Sequence, residues 1–311
     1  MYFFDGHCDT ILHCYLTGEH LADSTGHWNL DKVKDFAGVA QFFACFGEPE
    51  DTPGIPLWEV FQQEVSLFCR ELAANSERIT LCTTAADLET AWRDGKAAAF
   101  LSAEGAELLD CDPGKLEMAY RWGLRAVNLT WNHENALSGT NVESPERGLT
   151  QQGAAFVRQM QELGMLVDVS HLSDPGFWDV VELAQKPIFA SHSDSRVCHP
   201  HTRNLTDEQF TAIIKLRGTV GLNLCPEFLG EPCTLDMMRR HLDHFLELGG
   251  EDTVALGGDW DGISRLPYGI RDVTGWAAFY EHLKAHGYND TLLDKLFYKN
   301  LMRVVREVCT M

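Results

Sequence analysis

Residues 167–171, VDVSH, and residues 188–192, IFASH, decide the fold. Each is a short apolar run of the kind buried on both faces of a parallel sheet, and each closes with the same Ser-His pair. Working outward, comparable runs lie at residues 2–6, 39–46, 97–101, 125–130, 165–169, 187–190, 219–223 and 253–257, with a short extra one at 79–82. Segments of helical period separate them. In TDEQF, Thr206 and Gln209 predict a capping box, and Asp174 followed by Pro175 predicts an N-cap with proline at the first helical position. Eight strands alternating with helices is the count of a (β/α)8 TIM-type barrel, although a doubly wound open sheet shows the same alternation.

The polar residues choose between the two. His7, Asp9, Glu104, His133, His171, His192 and Asp259 follow or end successive apolar runs, and each can bind a metal or move a proton. The carboxyl ends of an open sheet form a line, whereas those of a closed barrel converge on its axis. One site built from five or six strands therefore favours the barrel.

His7 and Asp9 in DGHCDT, two residues apart, share a face if the strand continues through them. Glu104 in FLSAEGAELL is flanked by small residues that admit a close partner, with helix capping as its competing role. Imidazole and carboxylate are the ligands zinc prefers, and His7, Asp9, Glu104, His171 and His192 exceed what one tetrahedral ion needs. Shared through a bridging Glu104, they predict two metals ~3.5–4 Å apart. Asp259 in ALGGDWDGI is the expected proton shuttle and Asp261 its competitor, while an acidic turn is the plain alternative.

Composition narrows the partners. The chain has 311 residues, 45% of them hydrophobic, and 46 acids against 25 bases give a net charge of −21. That field repels nucleic acid and anionic membrane surfaces. The ten cysteines form no CxxC pair and read as buried thiols. Neither MYFFDGHCDTILHCYL nor LMRVVREVCTM reads as a signal, span or lipid anchor, so a cytoplasmic protein is expected. No linker or repeat interrupts residues 1–311, which predicts a single domain. A C2 homodimer is the prior for a soluble barrel.

These motifs resemble, in order and over nearly the whole length, those of the membrane dipeptidase (renal dipeptidase) family of binuclear zinc peptidases. DGHCDT is similar to its opening metal motif, SAEGAELL to its bridging-glutamate motif, VDVSHLS and SHSDSRVCHPHTRNLTDEQ to its two histidine motifs, and ALGGDWDG to its closing aspartate motif. The resemblance implies a zinc-dependent dipeptidase with His7, Asp9 and Glu104 on one zinc and Glu104, His171 and His192 on the other. It further implies that Arg203 holds the carboxylate of the dipeptide's C-terminal residue, whose L or D configuration the sequence leaves open. Two departures stand out. Relatives place a histidine after Leu-Thr where this chain has Trp131, so His133 is the expected substitute at the scissile carbonyl. Relatives also carry an aromatic pair where this chain has Leu224 and Cys225, which predicts a different substrate pocket.

The expected mechanism is attack by a metal-bridging hydroxide, with Asp259 carrying the proton to the leaving amine. Residues 18–29 and 47–58 are expected to form a lid, with His20 and His27 in solvent. The rivals are a barrel hydrolase of cyclic amides, lactones or β-lactams and a non-catalytic metal-binding protein.

Overall fold

A computed structural model describes residues 1–310. Nine parallel strands occur: β1 (Tyr2–Cys8), β2 (Gly38–Cys45), β3 (Ile79–Leu81), β4 (Ala97–Glu104), β5 (Leu124–Asn128), β6 (Leu166–Asp168), β7 (Phe189–Ala190), β8 (Thr219–Leu222) and β9 (Val254–Leu256). Eight of them close in the order β1-β2-β4-β5-β6-β7-β8-β9, and β9 pairs back to β1 through Leu256 and Asp5. β3 is the extra strand. It pairs with the start of β4, and β5 takes over the same edge from Leu101 onward. The architecture is thus the closed (β/α)8 barrel.

Two strands run further than their apolar stretches. β1 continues to Cys8 and β4 to Glu104, because β2 pairs with β4 through Ala103 and β5 offers Asn128 to Glu104. Backbone pairing, rather than side-chain hydrophobicity, carries His7 and Glu104 to the strand ends.

Helix starts follow local chemistry. Thr206 and Gln209 form the expected capping box. At the other predicted start the N-cap is Ser173, whose hydroxyl accepts from the Gly176 N–H at 3.0 Å. Asp174 is instead the first helical residue, and its carboxylate accepts from Arg196 at 2.7 and 2.8 Å.

Inside the barrel, below the polar mouth, Phe4, Phe42, Phe100 and Phe189 form a floor with ring centroids 5.1 to 5.6 Å apart. Apolar residues of helices Ala85–Arg93 and Asn300–Val308, among them Leu88, Leu301 and Val305, pack with it. Above the floor the backbones come very close. A Cβ at Gly257 would lie 1.9 Å from the Ser191 carbonyl oxygen, so that position admits only glycine. All ten thiols are free, and most are buried.

Candidate active site at the mouth of the barrel

His7 lies on β1 and Asp9 just beyond it, at the N-cap of helix Thr10–Thr17. The Asp9 side chain makes no capping bond, so its carboxylate remains available to the site. Glu104 is the last residue of β4, while His171, His192 and Asp259 follow β6, β7 and β9. His171 and Asp259 adopt left-handed backbone, with φ of 71° and 56°. Such positions cost of order 1–3 kcal/mol each and persist where surrounding contacts over-determine them.

The side chains converge as the strand ends predict. Glu104 Oε1 is 3.0 Å from His171 Nε2 and 3.4 Å from His192 Nε2, and its Oε2 is 3.5 Å from His7 Nε2. His7 Nε2 is also 3.4 Å from Asp9 Oδ2 and 4.0 Å from Asp259 Oδ1. The two carboxylate oxygens of Glu104 thus face different histidines. His7, Glu104 and His192 form one candidate metal triad, and His7, Asp9 and Asp259 another.

Three features of these residues fit a bound metal pair. His7 Nε2 and Asp9 Oδ1 are buried without a hydrogen-bond partner. His171 Nε2 and His192 Nε2 point at each other across 3.0 Å, an arrangement suited to a shared cation. Asn132 Oδ1 accepts from His171 Nδ1 at 3.1 Å and Ser191 Oγ meets His192 Nδ1 at 2.7 Å, directing Nε2 of each ring inward as metal ligation requires.

The electrostatics agree. Burial depresses the pKa of His171 to about 4 and that of His192 well below the usual range, so both imidazoles are neutral. Burial also acts to lower His7, but Glu104 and Asp9 outweigh it and raise its pKa well above normal. Burial raises Asp9 to about 7 against the pull of His7. Glu104 remains ionised, since the histidines around it overcome its desolvation. The carboxylates in effect demand positive charge at His7 Nε2.

Of the two aspartates in DWDG, Asp259 faces the cluster and Asp261 does not. Asp259 Oδ2 accepts from Asn223 Nδ2 at 3.1 Å. Asp261 Oδ2 accepts from Thr10 Oγ1 at 2.6 Å, its Oδ1 accepts from the His27 N–H, and its own N–H donates to His27 Nδ1 at 3.0 Å. Asp261 therefore ties two loops together. His27 is correspondingly half-buried and bonded, contrary to its expected place in solvent, whereas His20 is exposed.

The cavity beside the cluster has a volume of about 240 Å³, and Glu104, Asp259, Arg203, Trp131, Phe46 and Phe228 are among its lining residues. Neither expected lid segment contributes to that lining. His133 is also absent from it. Its side chain is 66% exposed and pairs with Glu48 at 3.2 Å and Glu143 at 3.4 Å, so the expected contact with a scissile carbonyl is corrected. Trp131 and Asn132 take the wall instead, because the chain turns there and presents His133 to the opposite side. Leu224 and Cys225 are buried and do not line the cavity, and Phe228 supplies the aromatic surface on that side.

Sequence reading missed the residues that hold this geometry. Asp5 accepts from the N–H groups of His7 at 3.0 Å and Gly258 at 3.1 Å and from the indoles of Trp260 at 2.9 Å and Trp276 at 2.7 Å. Asp168 Oδ1 accepts from the backbone of Ser170 at 3.0 Å and Ser191 at 3.1 Å, joining the two histidine-bearing strand ends. The available signal was a lone aspartate inside an apolar run, close before a ligand, in both FFDGH and VDVSH.

A closed parallel barrel with buried histidines and carboxylates at its carboxyl-terminal mouth defines a metal-dependent hydrolase. The chain belongs to the membrane dipeptidase family (peptidase family M19), whose profile matches residues 1–311. It is similar to an uncharacterized protein in the pqqA 5' region of Klebsiella pneumoniae, 35% identical over 268 residues that cover 82% of this chain and 98% of that one. Among solved structures it resembles a metallopeptidase from Rhodobacter sphaeroides liganded with a phosphinate mimic of the dipeptide L-Ala-D-Ala, with TM-score 0.89, 31% identity and 99% of each chain covered. A second, described as a dipeptidase and metallopeptidase of family M19, matches with TM-score 0.89 and 31% identity over 100% of this chain and 99% of that one. No described helix is long and apolar enough to cross a membrane.

Proposed function

We propose that the chain is a zinc-dependent dipeptidase that cuts the single peptide bond of a dipeptide held between Arg203 and the metal cluster. The observation that carries this reading is Arg203. Its guanidinium is buried, its Nε has no partner, and among the described residues its side chain donates one hydrogen bond, from Nη2 to the His192 carbonyl oxygen at 3.3 Å. A buried cation with spare donors beside a cavity calls for an anion, and a planar fork matches a carboxylate. The C-terminal carboxylate of a dipeptide is such an anion. The cavity, at about 240 Å³, lies below the ~300–1,000 Å³ of ordinary small-molecule sites, which favours a two-residue substrate over a longer peptide.

The donor set fits two zinc ions, with His7, Asp9 and Glu104 around one and Glu104, His171 and His192 around the other. When bound, such a pair supplies Lewis acidity towards the carbonyl and lowers the pKa of water towards ~7. The remaining work falls to the chain. Asp259 Oδ1 takes the proton of the attacking water and returns it to the leaving amine; burial raises the pKa of this carboxyl, which makes it a better base. Asn223 holds Oδ2 so that Oδ1 faces the cluster. Arg203 fixes the carboxylate end, and Phe46, Trp131 and Phe228 exclude water and take up apolar side chains. The L-Ala-D-Ala mimic in the Rhodobacter enzyme supports a D-residue at the C-terminal position. The free thiols suit a reducing, cytoplasmic setting, and the whole chain would act as one barrel domain.

The test is hydrolysis of L,L- and L,D-dipeptides, matched tripeptides and cyclic amides by metal-stripped protein before and after zinc is added. Zinc-restored cleavage confined to dipeptides is expected. Zinc-restored cleavage of cyclic amides alone would replace the dipeptide reading.

A further inference from the structure

We infer that the chain carries a separate, peripheral site for a transition-metal ion, formed by Asp236, His282 and His286 on the outer helices. Asp236 lies in the first turn of helix Leu235–Glu247. His282 lies in helix Gly275–Ala285, and His286 is the residue that ends it. Four residues apart, the two histidines share one helix face, with ring centroids 4.3 Å apart. Both Nε2 atoms face the same oxygen, Asp236 Oδ1, at 3.2 Å from His282 and 3.9 Å from His286. These three donor atoms lie within 4.8 Å of one another, in a cluster separate from those at the barrel mouth.

Two details fit a metal ion. First, His282 Nε2 is shut off from solvent and makes no hydrogen bond, even though the carboxylate lies at ion-pair distance. It lies beside both Asp236 Oδ1 and His286 Nε2. Second, the spacing is that of a coordination shell. Legs of ~2.1 Å in tetrahedral geometry separate ligand atoms by ~3.4 Å, close to the 3.2 and 3.9 Å observed.

The donor chemistry selects the ion. Two imidazoles and one carboxylate suit zinc, copper or nickel, whereas magnesium and calcium take oxygen ligands. Arg239 Nη2 now reaches Asp236 Oδ1 at 3.3 Å, but its Nη1 holds Asp243 Oδ2 at 2.6 Å, so Arg239 keeps an anchor when an ion claims Asp236. The ion would clip the two helices together along a seam that Tyr288 already bridges by donating to Asp243. The site lies outside the cluster at the mouth and does not depend on how that cluster is loaded.

The experiment compares the holoenzyme of the wild type with His286→Gln and Asp236→Asn. Each is dialysed against zinc chloride, its metal is counted by mass spectrometry, and its melting is followed with and without free zinc. His286 and Asp236 are 40% and 66% exposed, so neither change opens the core. The expected result is one zinc per chain fewer in each variant, with dipeptide hydrolysis unchanged, and a zinc-dependent rise in Tm in the wild type alone. Equal zinc content and equal melting shifts in all three proteins would overturn the site. So would a wild-type melting shift reproduced by magnesium chloride.

Discussion

Phe4 and His7 stand three residues apart on β1 and belong to two different interiors. Phe4 packs into the floor with Phe42, Phe100 and Phe189, all fully buried and with no polar side-chain group to satisfy. His7 belongs to the mouth, where buried carboxylates crowd one another, polar atoms lack partners and two residues adopt left-handed backbone. The floor agrees with every local rule for a barrel core, while the mouth breaks several of them. The comparison teaches where each kind of free energy resides: the floor supplies stability, and the mouth concentrates charge and strain.

The division can be broken most sharply at Glu104. Glu104→Gln removes the carboxylate that faces all three histidines. It is expected to abolish hydrolysis and to lower bound metal, both measured on purified protein, while the melting temperature of the metal-free form stays within a few degrees. Wild-type metal content in that variant would remove Glu104 from the bridging position. Phe42→Ala is the counterpart in the floor. It should cost about 3–5 kcal/mol in denaturant unfolding, as large aromatic truncations do, while the folded fraction keeps its metal content and its KM.

His241 probes the support behind the mouth. Its side chain is fully buried, Nδ1 accepts from the Ser195 N–H at 3.1 Å, and Nε2 donates to the Leu229 carbonyl oxygen at 3.0 Å, so the ring is neutral. Burial depresses its pKa to about 4. An unfolded histidine titrates near ~6.5, so below that pH the unfolded chain binds a proton that the folded chain refuses. This contribution is full above pH ~6.5, declines as pH falls towards 4, and amounts to about 3 kcal/mol. His241→Gln should flatten the fall of stability between pH 6.5 and 4; an unchanged slope would assign acid sensitivity to other groups.

Arg203→Met tests the substrate end of the mouth. Loss of charge-assisted hydrogen bonds to a carboxylate, worth about 1.5–3 kcal/mol, should lower kcat/KM roughly 10- to 200-fold, with metal content unchanged. An equal loss on substrates with an amidated C-terminus would show that the guanidinium does not read the carboxylate.

The barrel was legible because strand alternation and strand-end polarity are local signals. VDVSH and IFASH each carry their own strand and their own candidate ligand. Strand ends were less legible: β4 continues to Glu104 by virtue of its neighbours' pairing, which no single segment encodes. The supporting contacts were least legible. Asp5 meets Trp260 and Trp276 across 255 and 271 residues, and His27 meets Asp261 across 234. Whether a polar residue near a motif faces the site depends on such distant partners.

His133 is the sharpest case of that limit, and it carries the smallest expected effect. Two residues separate it from Trp131, which lines the cavity, and its neighbour Asn132 orients His171 at 3.1 Å. Proximity in sequence thus placed it at the reaction centre, but the turn through 131–133 sends it outward to Glu48 and Glu143. Exposed ion pairs of this kind contribute about 0–1 kcal/mol. His133→Ala should accordingly leave kcat, KM and metal content within about twofold of wild type, whereas Asn132→Ala, which frees the His171 ring, should weaken metal binding by about 10- to 100-fold. Should His133→Ala depress kcat with metal content intact, the loop must turn inward when substrate binds, and the boundary between mouth and surface would move by two residues.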